Sequence, residues 1–180
     1  LAYMASLEAI HDRDGVRRTH HVTIPAATRI GHVHLRVADL ERAIGFYSGL
    51  LGLDVIQRMG QEAAFLSAGG YHHHLGLNTW GVDPEVGPSA AGTPGLYHFA
   101  LLYPGRAELA RAVKVLVEAS WPIAGCSDHG VSEAVYLADP DGNGIELCWD
   151  RPMDEWPRSE DGALAMFSRA FTVEQLLEST

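Results

Sequence analysis

Ten histidines are spread unevenly along the 180 residues. His32 and His34 lie in the run Arg29-Ile-Gly-His-Val-His-Leu-Arg-Val37, and His98 lies in Gly95-Leu-Tyr-His-Phe-Ala-Leu-Leu102. His129 sits in Asp128-His-Gly130, and His72, His73 and His74 are consecutive. Glu146 interrupts the apolar run Ile145-Glu-Leu147, where a buried carboxylate with no partner is costly. Two imidazoles and one carboxylate hold Fe(II) on one face and leave positions open, and the same set accepts Mn, Ni, Co or Zn. A lone strand histidine is ordinarily a core or surface residue. His32, His98 and Glu146 are read together as a metal set because a repeat places the two histidines at matching positions.

That repeat organises the chain. In the first copy, period-2 alternation predicts a strand around His32. Asp39 can cap a helix carrying Leu40, Ala43, Ile44 and Tyr47 on one face, and Gly49 and Gly52 end it. Strands follow at Leu53–Gln57, Ala63–Ala68 and His72–Trp80. The second copy opens with the His98 strand, continues as a helix over about 107–119, and closes with strands at Ala134–Ala138 and Ile145–Trp149 around the turn Asp139-Pro-Asp-Gly-Asn-Gly144. Each copy reads as βαβββ. The expected layout is an N-terminal extension, 1–28, then one domain, 29–150, then a helical tail, 151–180. The domain comprises module 1 (29–81), a Pro/Gly/Ser/Ala-rich linker (82–94) and module 2 (95–150).

Four stretches carry a family resemblance: His32-Val-His-Leu-Arg-Val37, Phe46-Tyr47, Leu51-Gly-Leu53 and Asp139-Pro-Asp-Gly-Asn-Gly-Ile-Glu146. Together they resemble the vicinal-oxygen-chelate (glyoxalase/bleomycin resistance/dioxygenase) superfamily over about residues 28–150, and the last is the most specific. The resemblance implies an α+β fold in which two βαβββ modules form an open, barrel-like sheet around a metal, with ligands at His32, His98 and Glu146. Within the superfamily the chain looks most like the catalytic domain of type I extradiol, ring-cleaving dioxygenases. On that resemblance His73 takes the acid/base position, His129 stands behind the ligands, and Tyr136 lies near a substrate oxygen. The segment between His129 and Tyr136 is slightly shorter than in some members. The usual extradiol enzyme also carries two such domains, where this chain has one.

Ligand count separates the chemistries. Three protein ligands on an octahedral ion leave room for a chelating catecholate and dioxygen, the extradiol case. A fourth, placed at His74 by alignment with glyoxalase-type members, leaves room for a chelating substrate only and favours an isomerase or lyase. If the triple histidine is in a strand, His73 faces opposite to His72 and His74. The reading favours His73 inward, with Fe(II) as the expected metal and an aromatic diol and dioxygen as partners. A drug-binding, bleomycin-resistance-like protein is a further alternative, against which the retained ligand set argues. His34 shares a face with His32 but reads as structural. Cys126 and Cys148 read as core thiols, and Phe65, Trp80, Phe99 and Trp149 as core aromatics.

Composition narrows the classes further. A formal net charge of -10 opposes phosphate backbones, so no nucleic-acid partner is expected. No apolar run is long enough for a membrane span. The early residues, with Glu8, His11, Asp12, Arg13 and Asp14, do not resemble a signal peptide. Two unpaired cysteines fit a cytoplasmic protein. A homodimer is expected, and the linker permits modules to complete a site within one chain or across two.

Overall fold

The computed structural model describes residues 23–83, 85, 87 and 94–178. The chain divides into two compact units, residues 1–30 and 31–180. Of the first, the described part is a turn in which the Thr28 N–H donates to the Pro25 carbonyl at 2.9 Å. The early residues on which a signal peptide was discounted, and most of the extension and linker, lie outside the described residues.

In the second unit the βαβββ plan appears twice. Module 1 contains β1 (Val33–Arg36), α1 (Leu40–Tyr47), β2 (Asp54–Met59), β3 (Ala63–Ser67) and β4 (Leu75–Asn78). Module 2 contains β5 (Phe99–Leu102), α2 (Arg106–Glu118), β6 (Ile123–Asp128), β7 (Ser132–Ala138) and β8 (Gly144–Asp150). The tail adds a short strand, β9 (Arg169–Ala170), and α3 (Val173–Leu177). Module 1 forms one sheet, ordered β1-β4-β3-β2, and module 2 with the tail forms another, β5-β8-β7-β6-β9. Each sheet is mixed: β1 runs parallel to β4 and β5 parallel to β8, while the remaining pairs are antiparallel. The fold class is α+β as expected, but the two sheets are not closed into a barrel.

Local chemistry explains the elements. Asp39 caps α1 by accepting the Arg42 N–H at 3.0 Å, satisfying a donor the helix leaves free. Leu40, Ala43, Phe46 and Tyr47 of α1 are buried. They join Leu35, Leu66, Leu75 and Leu77 of module 1 and Leu109, Val113, Val135, Ile145 and Leu147 of module 2 in one core. Burying each larger apolar side chain contributes about 1.5–3 kcal/mol.

The Asp139-to-Gly144 turn ties the modules together. Asp139 Oδ1 accepts the N–H groups of Asp141 and Asn143, and its Oδ2 accepts the Asn143 amide and the Tyr47 hydroxyl, each between 2.8 and 2.9 Å. Asp141 Oδ1 accepts the Ala38 N–H and the Arg42 guanidinium. The most specific motif of the sequence therefore anchors the start of α1 and launches β8, the strand that carries Glu146.

Three expectations change. The tail, expected to be helical over 151–180, is helical among the described residues only at Val173–Leu177 and in a 3-10 turn at Met153–Glu155. The strand expected over His72–Trp80 is confined to Leu75–Asn78. Gly69 and Gly70, both at positive φ, open a turn that extends to the triple histidine, so strand parity does not set its directions. Trp80 lies exposed rather than in the core.

Candidate active site

Register defines the faces. In the second sheet Ala100, Glu146, Tyr136 and Gly125 pair across four strands, so they share one face. Ile145, Leu147 and Leu137 point into the core from the other. His98 precedes β5 by one residue, and its Nε2 lies 2.9 Å from Glu146 Oε2. Gly144 permits this approach: a Cβ there would stand 2.2 Å from the Tyr97 carbonyl oxygen and 3.1 Å from His98 Cβ. Beyond Glu146 comes Tyr136, whose phenol is pushed up to about 12 by burial and then by the Glu146 charge. Tyr136 in turn lies 2.7 Å from His129 Nε2. His98, Glu146, Tyr136 and His129 thus form one continuous polar array.

In the first sheet the equivalent row is His34, Gly76, Phe65 and Gln57. His32 precedes β1 as His98 precedes β5. Its ring lies 4.4 Å from that of His73, which also meets Phe65 edge-on at 5.0 Å. His73 Nδ1 is hydrogen-bonded to His72 Nδ1 at 2.8 Å. Burial, then the neighbouring His32, His72, His34 and His74, hold the His73 imidazole below its ordinary pKa. His74 turns elsewhere: its Nδ1 accepts the Ala68 N–H and lies 2.9 Å from Ser67 Oγ. His34 is held by Asn78. The Asn78 Oδ1 accepts the Trp80 N–H, so its Nδ2 donates to His34 Nε2 at 2.7 Å. Sequence reasoning missed this Asn78–His34 contact, because a strand asparagine carries no spacing signal.

The structure therefore brings His98 to Glu146, His129 to Tyr136, and His32 to His73. It does not gather His32 with the His98–Glu146 pair: among the described residues no three His, Cys, Asp or Glu side chains form a metal-holding group. The pair itself fits a metal. Two donors about 2.1 Å from one ion and at right angles stand about 3 Å apart, close to the 2.9 Å between His98 Nε2 and Glu146 Oε2. The repeat also locates the module 1 counterpart of Glu146. Ala100 pairs Glu146 and His34 pairs Gly76, so the counterpart is Gly76, which has no donor. His34 occupies the space, since a Cβ at Gly76 would lie 2.7 Å from its ring.

This double βαβββ architecture agrees with the comparisons. Residues 29–147 match the Glyoxalase/Bleomycin resistance protein/Dioxygenase superfamily. The chain belongs to that superfamily. It is 42% identical over 156 residues to a catechol-2,3-dioxygenase of Bacillus subtilis (strain 168), covering 84% of this chain and 52% of that protein. It is 28% identical over 126 residues to a biphenyl-2,3-diol 1,2-dioxygenase 2 of Rhodococcus globerulus, covering 68% of this chain and 63% of the relative. The chain thus spans about half the length of the Bacillus relative and under two thirds of the Rhodococcus one. The superfamily fold is also that of a glyoxalase/dioxygenase from Nostoc punctiforme, with a TM-score of 0.61 and 24% identity over 75% of this chain and all of that one. No helix among the described residues is long and apolar enough to cross a membrane.

Proposed function

We propose that the chain is a metal-dependent extradiol dioxygenase domain that cleaves the ring of a catecholic diol beside its two hydroxyls. The observation that carries this reading is the array His98–Glu146–Tyr136–His129 on one sheet face. It sets an imidazole and a carboxylate, donors of the kind that hold a metal, beside two hydrogen-bonding groups. The similarity to a catechol-2,3-dioxygenase supports the same chemistry.

In this reading His32, His98 and Glu146 hold the metal, with Fe(II) the first choice and Mn, Ni, Co or Zn also compatible with the donors. When bound, the metal supplies Lewis-acid activation of both diol oxygens and an electron path to dioxygen. The remaining work belongs to the protein. His73 is neutral at pH 7, because its pKa is lowered, so it takes a proton from a diol hydroxyl. Tyr136, backed by His129, donates its hydroxyl proton in a hydrogen bond to an oxygen atom that gains negative charge. The expected partners are an aromatic diol and dioxygen, with the protein acting as a homodimer.

The isomerase or lyase alternative relies on a fourth protein ligand. Gly76 offers none, and His74 Nδ1 is engaged by Ala68 and Ser67. Oxygen uptake by the Fe(II)-loaded chain with a panel of catechols tests the proposal. Uptake with a ring-opened product supports it, whereas tight diol binding without uptake points to the isomerase.

A further inference from the structure

The tail forms a strap across the loop that carries His129. At one end β9 pairs with β6, matching Ala170 to Ser127 and Arg169 to Asp128. Ser168 Oγ meets Ser127 Oγ at 2.8 Å, and the Phe171 N–H donates to the Cys126 carbonyl. At the other end Leu176 is fully buried, and Arg106 of α2 donates to the carbonyls of Gln175 and Leu176. Between these anchors Phe167 makes two contacts with a single residue. Its N–H donates to the His129 carbonyl at 3.3 Å, and its own carbonyl lies 3.1 Å from His129 Nδ1.

We infer that residues 167–170 are a positioning strap that locks His129 in the Nδ1–H tautomer. A carbonyl oxygen only accepts, so Nδ1 must carry a proton to bond Phe167. In the neutral ring Nε2 then presents a lone pair, and that lone pair faces the Tyr136 hydroxyl at 2.7 Å. Tyr136 donates to it until a substrate oxygen that gains negative charge takes that hydrogen bond. The strap thus decides which of the two side chains carries the proton between them, and it holds the imidazole plane on which that bond depends. With the other tautomer Nδ1 would present its lone pair to the Phe167 oxygen, which repels it, and Nε2–H would point at Tyr136. Gly130 completes the fit. It sits at φ +78, and a Cβ there would come within 2.6 Å of the Phe167 ring and 2.8 Å of Pro157.

The catalytic consequence rests on the dioxygenase reading, but the tautomer does not. Nitrogen-15 NMR of the full chain with labelled histidine, with His129 assigned by its loss in His129→Gln, reads the tautomer directly. The inference expects Nδ1–H in the native sequence, and an Nε2–H signal there overturns it. Gly130→Ala, which displaces Phe167, and Ser168→Ala, which removes one anchor, are expected to move the signal toward Nε2–H. Folding of both is checked by circular dichroism. With a catechol turned over by the native chain, kcat should fall about tenfold with KM nearly unchanged. Native-like tautomer and kcat in a folded Gly130→Ala protein overturn the strap. If no diol is turned over by the native chain but the tautomer behaves as stated, the dioxygenase reading falls and the strap stands.

Discussion

At the scale of single residues, metal binding and proton transfer fall to different side chains. Changing His32, His98 or Glu146 singly to alanine is expected to lower bound metal about tenfold or more, measured by metal analysis after reconstitution. Full retention by the Glu146→Ala protein would contradict the assignment, because Glu146 lies against His98 at 2.9 Å. His73→Ala should lose turnover while keeping its metal, whereas His74→Ala should keep both, since His74 is bonded to Ser67 and Ala68. Metal loss in His74→Ala with an active His73→Ala would reverse the roles. The residue types here were legible in sequence because the repeat put His32 and His98 in register and set Glu146 in an apolar run. The direction of the triple histidine was not, because the three residues lie ahead of β4, where strand parity does not hold. The ring contact of His73 with His32, against the bonds of His74 to Ser67 and Ala68, distinguishes them.

At the scale of elements the site depends on what holds its strands in place. Tyr47 joins α1 to the turn that launches β8 through its 2.8 Å bond to Asp139, and burial together with Asp139 pushes its phenol pKa up strongly. Tyr47→Phe leaves that carboxylate without one donor and is expected to cost about 1–3 kcal/mol, read by denaturant unfolding. In module 2, Arg151 bridges Asp128 and Glu133, and Arg106 also reaches Glu133. Burial opposes the Asp128 charge, but the Gly130 N–H and Arg151 outweigh it and hold its pKa below the ordinary range. A depressed carboxylate adds stability that is fully present above its unfolded value of about 3.9 and is lost as pH falls through the folded one. Asp128→Asn should therefore be less stable than the native chain by about 1–2 kcal/mol at pH 7, with the gap closing below pH about 3.9. An equal gap at both pH values would contradict this assignment. The helices and most strands were readable from apolar period and capping residues. This ion-pair ladder was not, since Arg106, Glu133 and Arg151 lie far apart in sequence and on different elements.

At the scale of the whole molecule, sequence and structure agree on two copies of one module, and the correspondence of Glu146 with Gly76 emerges only from strand pairing. That asymmetry within the repeat underlies the three-ligand reading. The tail's docking onto β6 was invisible in sequence: β9 is two residues long and exposed, with no pattern of its own. The central claim is ring cleavage by dioxygen at a site built from both modules, and one measurement bears on it most directly. The chain is loaded with Fe(II) without oxygen, a catechol is added, and oxygen is then admitted while its consumption and visible absorption are followed. The account predicts oxygen uptake with the yellow absorption of a ring-opened semialdehyde. Metal retained and catechol bound, with no oxygen consumed for any catechol tried, would contradict it.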